Sequence, residues 1–393
     1  MNWTLNSGTS RWHSIVSAAV FSLALSVSEY GYCAEDLMAL NAPGMGSSLV
    51  YSGVRGNGLR ALRFDAGTGQ LSTLGAVAEL PKARWGVAHP TLPILYMTSD
   101  DGSAVGKVTA FAVDRRSGAL QAIGEQSTGG SGPTHLWLDA ISKTLLVANY
   151  GGGSVSSIAL NSDGSLGALV STIQHIGAGP HRRQASPHAH GVFLDAGAKH
   201  VLVPDLGTDR IYAHGFDRES RKLTEAGAEH AFVAAAGSGP RHLVFSKDQR
   251  FVHVLSELTA ELTSLRWDAV QGQFAPVQSL PTHGTAFTGT KSGSEIASSQ
   301  DGRFIYVGNR GENQLQVYAA NAESGELTLI QTLACGGENP WTFALHSSGR
   351  WLLVANERSN RVNVFRVDAQ SGKLTDTGQS AESPAPISLT FVD

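Results

Sequence analysis

Arg241 and Glu257 stand sixteen positions apart, at the two ends of a stretch that reads as a hairpin. His242 to Phe245 and Phe251 to Leu255 are rich in β-formers, and Lys247-Asp248-Gln249-Arg250 between them is a turn cluster. Folding the strands antiparallel about Gln249, at a rise of roughly 3.3 Å per residue, returns both residues to one rim. A carboxylate there can accept a proton. A guanidinium is a fixed cation for an anion or a developing oxyanion, so the pair suits hydrolysis or proton transfer at a carbonyl. His188 and His190 are spaced to point the same way on a strand. Two imidazoles could ligate a metal, but no third ligand of good spacing accompanies them, so neither a metal nor another cofactor is expected.

What must position these residues is a repeated unit. Each copy opens on a polar residue after Gly-Pro or similar, runs through a short strand to an Asp-Gly-Arg type of turn, and returns in a strand ending in Asn, Asp or Ser. Two further strands follow, joined by a Ser-Gly-x-Leu turn. Openings fall at Arg84-Trp85, Thr134-His135, Pro187-His188, Pro240-Arg241, Ser294-Glu295 and Pro340-Trp341. The matching second-strand ends are Ser99, Asn149, Asp205, Ser256, Asn309 and Asn356. Four strands per repeat of roughly 50 residues is the pattern of a β-propeller blade. An incomplete unit at 47–80 and a lone strand at Ile387–Val392 are left over, and pairing them closes a ring without open sheet edges. The expectation is an all-β, seven-bladed propeller of four-stranded antiparallel blades.

In such a ring, first-strand starts and second-strand ends meet on one face. That collects Glu257, His190 and Arg241 with His188, Arg310, Glu295, His135, Asn149, Tyr150, Asp205, His242 and Asn356 around one mouth. Histidines, carboxylates and arginines so mixed suit gripping an anionic small molecule and moving a proton. The bland alternative is that Asn149, Asp205, Asn309 and Asn356 only cap turns. Tyr150 opens Gly151-Gly152-Gly153, which lacks the Lys-Ser/Thr of a phosphate loop and reads as a flexible rim loop.

The 393 residues are 41% apolar and 16% charged, with 45 glycines and a net charge of −4. No basic run marks a nucleic-acid surface. Arg11 and His13 precede an apolar run from Ile15 to Val27, then a polar segment to Ala34. This is the anatomy of a secretory signal. It assigns 1–34 to a cleaved leader, 35–393 to the propeller, and the mature chain to the periplasm or the exterior. The run is too short to span a bilayer, so no membrane span is expected once it is removed. Cleavage there leaves Cys335 as the one cysteine, expected as a small apolar filler.

Several stretches together resemble the seven-bladed propeller lactonase family, which includes bacterial 6-phosphogluconolactonases and fungal carboxymuconate cycloisomerases. They are Asn149-Tyr150-Gly151-Gly152-Gly153, Arg183-Gln184 with Pro187-His188-Ala189-His190, Val203 to Arg210, Gly239-Pro240-Arg241-His242, Ser256-Glu257-Leu258, Ser294-Glu295-Ile296 and Asn309-Arg310-Gly311. The resemblance implies a lactone pocket on the propeller face, with His190 or His188, Arg241, Glu257 and Arg310 at the positions proposed to act. For a lactonase, Glu257 or His190 would be the base, Arg241 would face the oxyanion, and Arg310 would hold a remote anionic group. A cycloisomerase using the same groups, and a non-catalytic ligand-binding propeller, are the other readings.

Overall fold

Period-two alternation folds as strands throughout. The computed structural model describes residues 46–227 and 231–393, all within the unit Asn41–Asp393. The expected leader, 1–34, lies outside the described residues.

Strands β1 (Ser47–Val54), β2 (Asn57–Asp65) and β3 (Leu71–Pro81) form three-quarters of a first blade. The second holds β4 (Gly86–Ala88), β5 (Ile94–Ser99), β6 (Lys107–Val113) and β7 (Leu120–Ser127). The third holds β8 (Pro133–Asp139), β9 (Thr144–Asn149), β10 (Ser154–Leu160) and β11 (Leu166–Gln174). The fourth runs β12 (Phe193–Leu194), β13 (His200–Asp205) and β14 (Arg210–Asp217), and its outer edge is broken into β15 (Lys222–Thr224) and β16 (Ala231–Val233), both paired to β14. The fifth holds β17 (Pro240–Phe245), β18 (Phe251–Ser256), β19 (Glu261–Asp268) and β20 (Gln273–Pro281). The sixth holds β21 (Gly293–Ser298), β22 (Phe304–Asn309), β23 (Gln314–Ala320) and β24 (Leu327–Ala334). The seventh holds β25 (Pro340–Leu345), β26 (Trp351–Asn356), β27 (Arg361–Val367) and β28 (Leu374–Glu382). The last strand, β29 (Pro386–Val392), pairs antiparallel with β1, Leu49 opposite Val392, and completes the first blade.

The seven-bladed propeller is therefore as expected, including closure by the two ends of the chain. All six anticipated second-strand ends coincide with the ends of β5, β9, β13, β18, β22 and β26. The fourth blade departs: its inner strand begins at Phe193, and the Pro187–His190 segment before it makes a single bridge, Ala189 to Asp205.

The core sits between blades. Tyr51 and Leu59 of the first blade pack with Leu95, Met97 and Phe111 of the second, and Val50 and Phe64 with Trp351 and Leu353 of the seventh. Comparable clusters fill the other interfaces. Burial of one such side chain stabilises by about 1.5–3 kcal/mol. Tyrosine hydroxyls add ties to the Ser-Gly turn of the next blade, Tyr51 to the Gly118 carbonyl at 3.0 Å and Tyr306 to that of Gly372 at 3.1 Å.

One irregularity aims the site. The inner strands β8, β17, β21 and β25 each carry an extra residue near their start. In β17 the pairing runs Pro240 to Ser256 and then His242 to Leu255, which leaves Arg241 bulged out; Thr134 and Trp341 are its counterparts in β8 and β25. A bulge bends the strand and re-aims a side chain. All three bulged residues line the cleft described next.

Candidate active site

Glu257 follows the end of β18, where its amide donates to the Gly239 carbonyl at 2.7 Å. Its side chain is buried, and three guanidinium groups converge on it. Arg183 Nη1 reaches Oε1 at 2.6 Å, Arg310 Nη2 reaches Oε1 at 3.1 Å, and Arg241 Nε lies 3.2 Å from Oε2. His190 Nε2 stands 3.3 Å from Oε2. Burial alone would raise the proton affinity of Glu257. Arg310, then His190 and Arg183, outweigh it and hold the carboxyl well below the usual glutamate range.

Arg183, Arg241, His190 and Glu257 face a cleft of about 110 Å³, lined also by Arg84, Trp85, Tyr150, His242 and Trp341. The same Nη2 of Arg310 also donates to the Gly293 carbonyl at 2.7 Å, and the guanidinium lies 4.8 Å over the Trp341 ring. Arg183 is the outermost of the three, its side chain 38% exposed, with Nη2 donating to the Tyr150 hydroxyl at 3.0 Å. Among the lining residues Arg84, Arg183 and Arg241 stand against the carboxylate of Glu257, and Arg84 also lies 3.7 Å from Asp100.

Burial holds His190, His135 and His242 below their ordinary values. Burial and Arg241 bring His190 down to about 3, against support from Glu257. Burial and the neighbouring His242 hold His135 well below its ordinary value. His135 packs tilted against Trp85 with ring centroids 4.3 Å apart and edge-on to His242 at 4.9 Å, and accepts from the Val192 amide at 3.3 Å. It faces not the cleft but a second, apolar cavity walled by Trp137, Phe193, Phe245 and Phe343.

His242 and Glu295 form a second buried pair, Nδ1 to Oε1 at 2.7 Å, and Thr342 donates to Glu295 Oε2 at 2.9 Å. His188 stacks on Tyr150 at 4.5 Å and bonds its backbone carbonyl through Nδ1 at 2.9 Å, behind the cleft wall. Both expected histidines pack against Tyr150, and of the two it is His190 that reaches Glu257.

Three more of the expected binding residues have their polar groups engaged within the scaffold. Asn149 is fully buried and donates to the Thr128 carbonyl and to Ser154 and Ser156 hydroxyls. Asn356 does the same toward the Cys335 carbonyl and Asn363. Both staple a second-strand end to the incoming connection of their blade. Asp205 accepts from the amides of His188, Gly207 and Thr208 and pairs with His175 at 2.6 Å. None of the three lines the cleft. Cys335 is a buried filler, its thiol pushed up to about 11 by burial.

Arg183 and Thr342 were missed as site residues. Arg183 sits in the long connection between β11 and β12, where no strand end marks it; the run His181-Arg182-Arg183-Gln184 ahead of Pro187-His188 is the signal that could have found it. Thr342 is one residue beyond the bulge of β25, and only the bulge makes its direction legible.

The model of the family described as "Lactonase, 7-bladed beta-propeller" matches residues 49–391. A 6-phosphogluconolactonase of Bacillus subtilis is 33% identical over 286 residues, 73% of this chain and 80% of that protein. One from Formosa agariphila is 28% identical over 75% of this chain and 83% of its own length. Among solved structures, the periplasmic gluconolactonase of Pseudomonas aeruginosa superposes with a TM-score of 0.82 at 31% identity, covering 88% of this chain and 99% of that one.

Proposed function

Because the chain belongs to the seven-bladed β-propeller lactonase family, we propose that it hydrolyses the ring ester of an anionic sugar-acid lactone in the arginine-lined cleft. The observation that carries this reading is the convergence of Arg183, Arg241 and Arg310 on one buried carboxylate beside an aromatic-walled cleft. Relatives named for lactone hydrolysis support the reaction class. The apolar run 15–27 and the periplasmic neighbour support an exported protein.

Water attacks the ester carbonyl, the π pair moves to oxygen, and the tetrahedral adduct collapses with cleavage of the ring C–O bond. Arg241, aimed inward by its bulge, faces the oxyanion, a term worth roughly 3–4 kcal/mol per donor in comparable sites. Arg310 and Arg183 hold the carboxylate or phosphate substituent, a two-pronged task suited to guanidinium. Arg183, the most exposed, trades Glu257 for the incoming anion. Glu257 then serves chiefly to hold three cations at working distance. Gripped this way it is a poor base, and His190, at about 3, is a weak one too.

The test uses the chain purified from a periplasmic extract, its N-terminus sequenced, against glucono-δ-lactone, its phosphorylated form and uncharged δ-valerolactone. An anionic lactone is expected to be turned over with kcat/KM at least about tenfold above the uncharged one. Arg183→Ala should raise KM about tenfold for the anionic substrate alone. Absence of turnover with every lactone, or equal use of charged and uncharged rings, rules the reading out.

A further inference from the structure

We propose, resting on the lactonase reading, that His242 takes the proton from the attacking water, with Glu295 and Thr342 as its positioning residues. The tautomer follows from the contacts. Glu295 is an ionised carboxylate and can only accept, so the 2.7 Å contact requires the proton on His242 Nδ1. Arg241 Nη1, 3.0 Å from the same nitrogen, is then a close cation and not a donor to it; it donates to the Ser294 carbonyl. Thr342 fixes the other oxygen of Glu295.

That leaves His242 Nε2 as a lone-pair acceptor. It is buried, has no hydrogen-bond partner among the described residues, and belongs to a ring that lines the cleft. Its neighbour repeats the arrangement in mirror form. His190 has Nε2 toward Glu257 and a buried, unpartnered Nδ1, and the two rings stand 5.2 Å apart. A buried polar atom without a partner is destabilising, so two in one wall point to a hydrogen-bonding occupant. A water donating to both nitrogens meets that need and is held as a nucleophile.

The proton steps balance. As the water oxygen bonds to the carbonyl carbon, its O–H bond breaks and the proton passes to Nε2. When the ring C–O bond breaks, the imidazolium returns that proton to the leaving alkoxide, giving a hydroxy acid. His242 is faced by Glu295 of β21, by Arg241 on its own strand, by Glu257 after β18, and by His190 and His135. Burial acts most strongly on His242 and, with Arg241, holds it below its ordinary value, which favours return of the proton; Glu295 and Glu257 work the other way and stabilise the transient imidazolium.

Hydrolysis of glucono-δ-lactone and its phosphorylated form by the mature chain decides the matter. His242→Gln should lower kcat at least about 100-fold with KM within about threefold. Glu295→Gln should lower kcat about tenfold and move the acid limb of the kcat–pH profile to lower pH, because the carboxylate that supports the imidazolium is gone. A merely structural pair would lower the melting temperature and leave that limb in place. A folded His242→Gln chain with near-normal kcat, or an unmoved limb in Glu295→Gln, overturns the assignment while the lactonase reading stands. A wild-type chain that opens no lactone overturns both. If His242→Gln does not fold, the Glu295→Gln profile decides.

Discussion

His253 and His214 lie inside blades, away from the cleft. His253 meets Ser264 Oγ at 3.0 Å, and His214 meets His175 at 3.0 Å. Burial pushes the two imidazoles down to about 4 and about 3. Between those values and the ordinary 6.5, the unfolded chain binds protons that the folded chain refuses. Their contribution is therefore complete above about pH 6.5 and is lost as pH falls toward 4 and then 3. Buried glutamates with depressed values, Glu257 and Glu295, act in the same direction further down, present above about 4.5 and lost as each folded carboxyl protonates. For His253 the full loss is on the order of 3 kcal/mol. The melting temperature should thus fall steeply from pH 7 to pH 4, and His253→Gln should flatten that slope. Equal slopes in the two proteins, by calorimetry, would contradict the burial argument. The same contrast of surroundings separates cleft from core: His242 has a carboxylate on one nitrogen and the cleft on the other, whereas His253 has a hydroxyl and packing.

Strand ends and bulges decide which polar residues are scaffold. The two-residue period and turn residues made second-strand ends legible to the residue, so Glu257 could be placed on the rim from the chain alone. Which of those ends face substrate was not legible, since Asn149, Asp205 and Asn356 belong to the same pattern and turn inward to satisfy backbone groups. The bulges were hidden too. A count of alternating residues assumes one residue opposite one, and Arg241 breaks that rule. Because the asparagines tie blade connections, Asn149→Ala and Asn356→Ala should each destabilise by about 1–3 kcal/mol. Denaturant titration reads that loss, while KM for the preferred lactone stays within about twofold. A large rise in KM at unchanged stability would return these residues to the substrate.

The ring as a whole depends on its two ends. Closure was readable because the incomplete N-terminal unit and the lone C-terminal strand complement each other, one three strands long and the other one. What could not be read was that β29 also builds the site, because its inner position follows from ring order and not from local pattern. Ile387 of β29 lines the cleft, and the Ser388 hydroxyl accepts from the Gly53 amide and donates to the Ala83 carbonyl. Removing residues 384–393 would strip β1 of its partner, expose an edge in the middle of the channel, and take away a wall of the cleft. An unpaired edge is a template for association with other copies. The truncated chain should therefore lose activity and run as soluble aggregate on size exclusion, and adding the excised strand as a synthetic peptide should restore part of the monomer peak. A truncated chain that stays monomeric and keeps the cooperative melt of the full chain would mean that the other six blades hold the circle without a clasp, and the role given to β29 would fall.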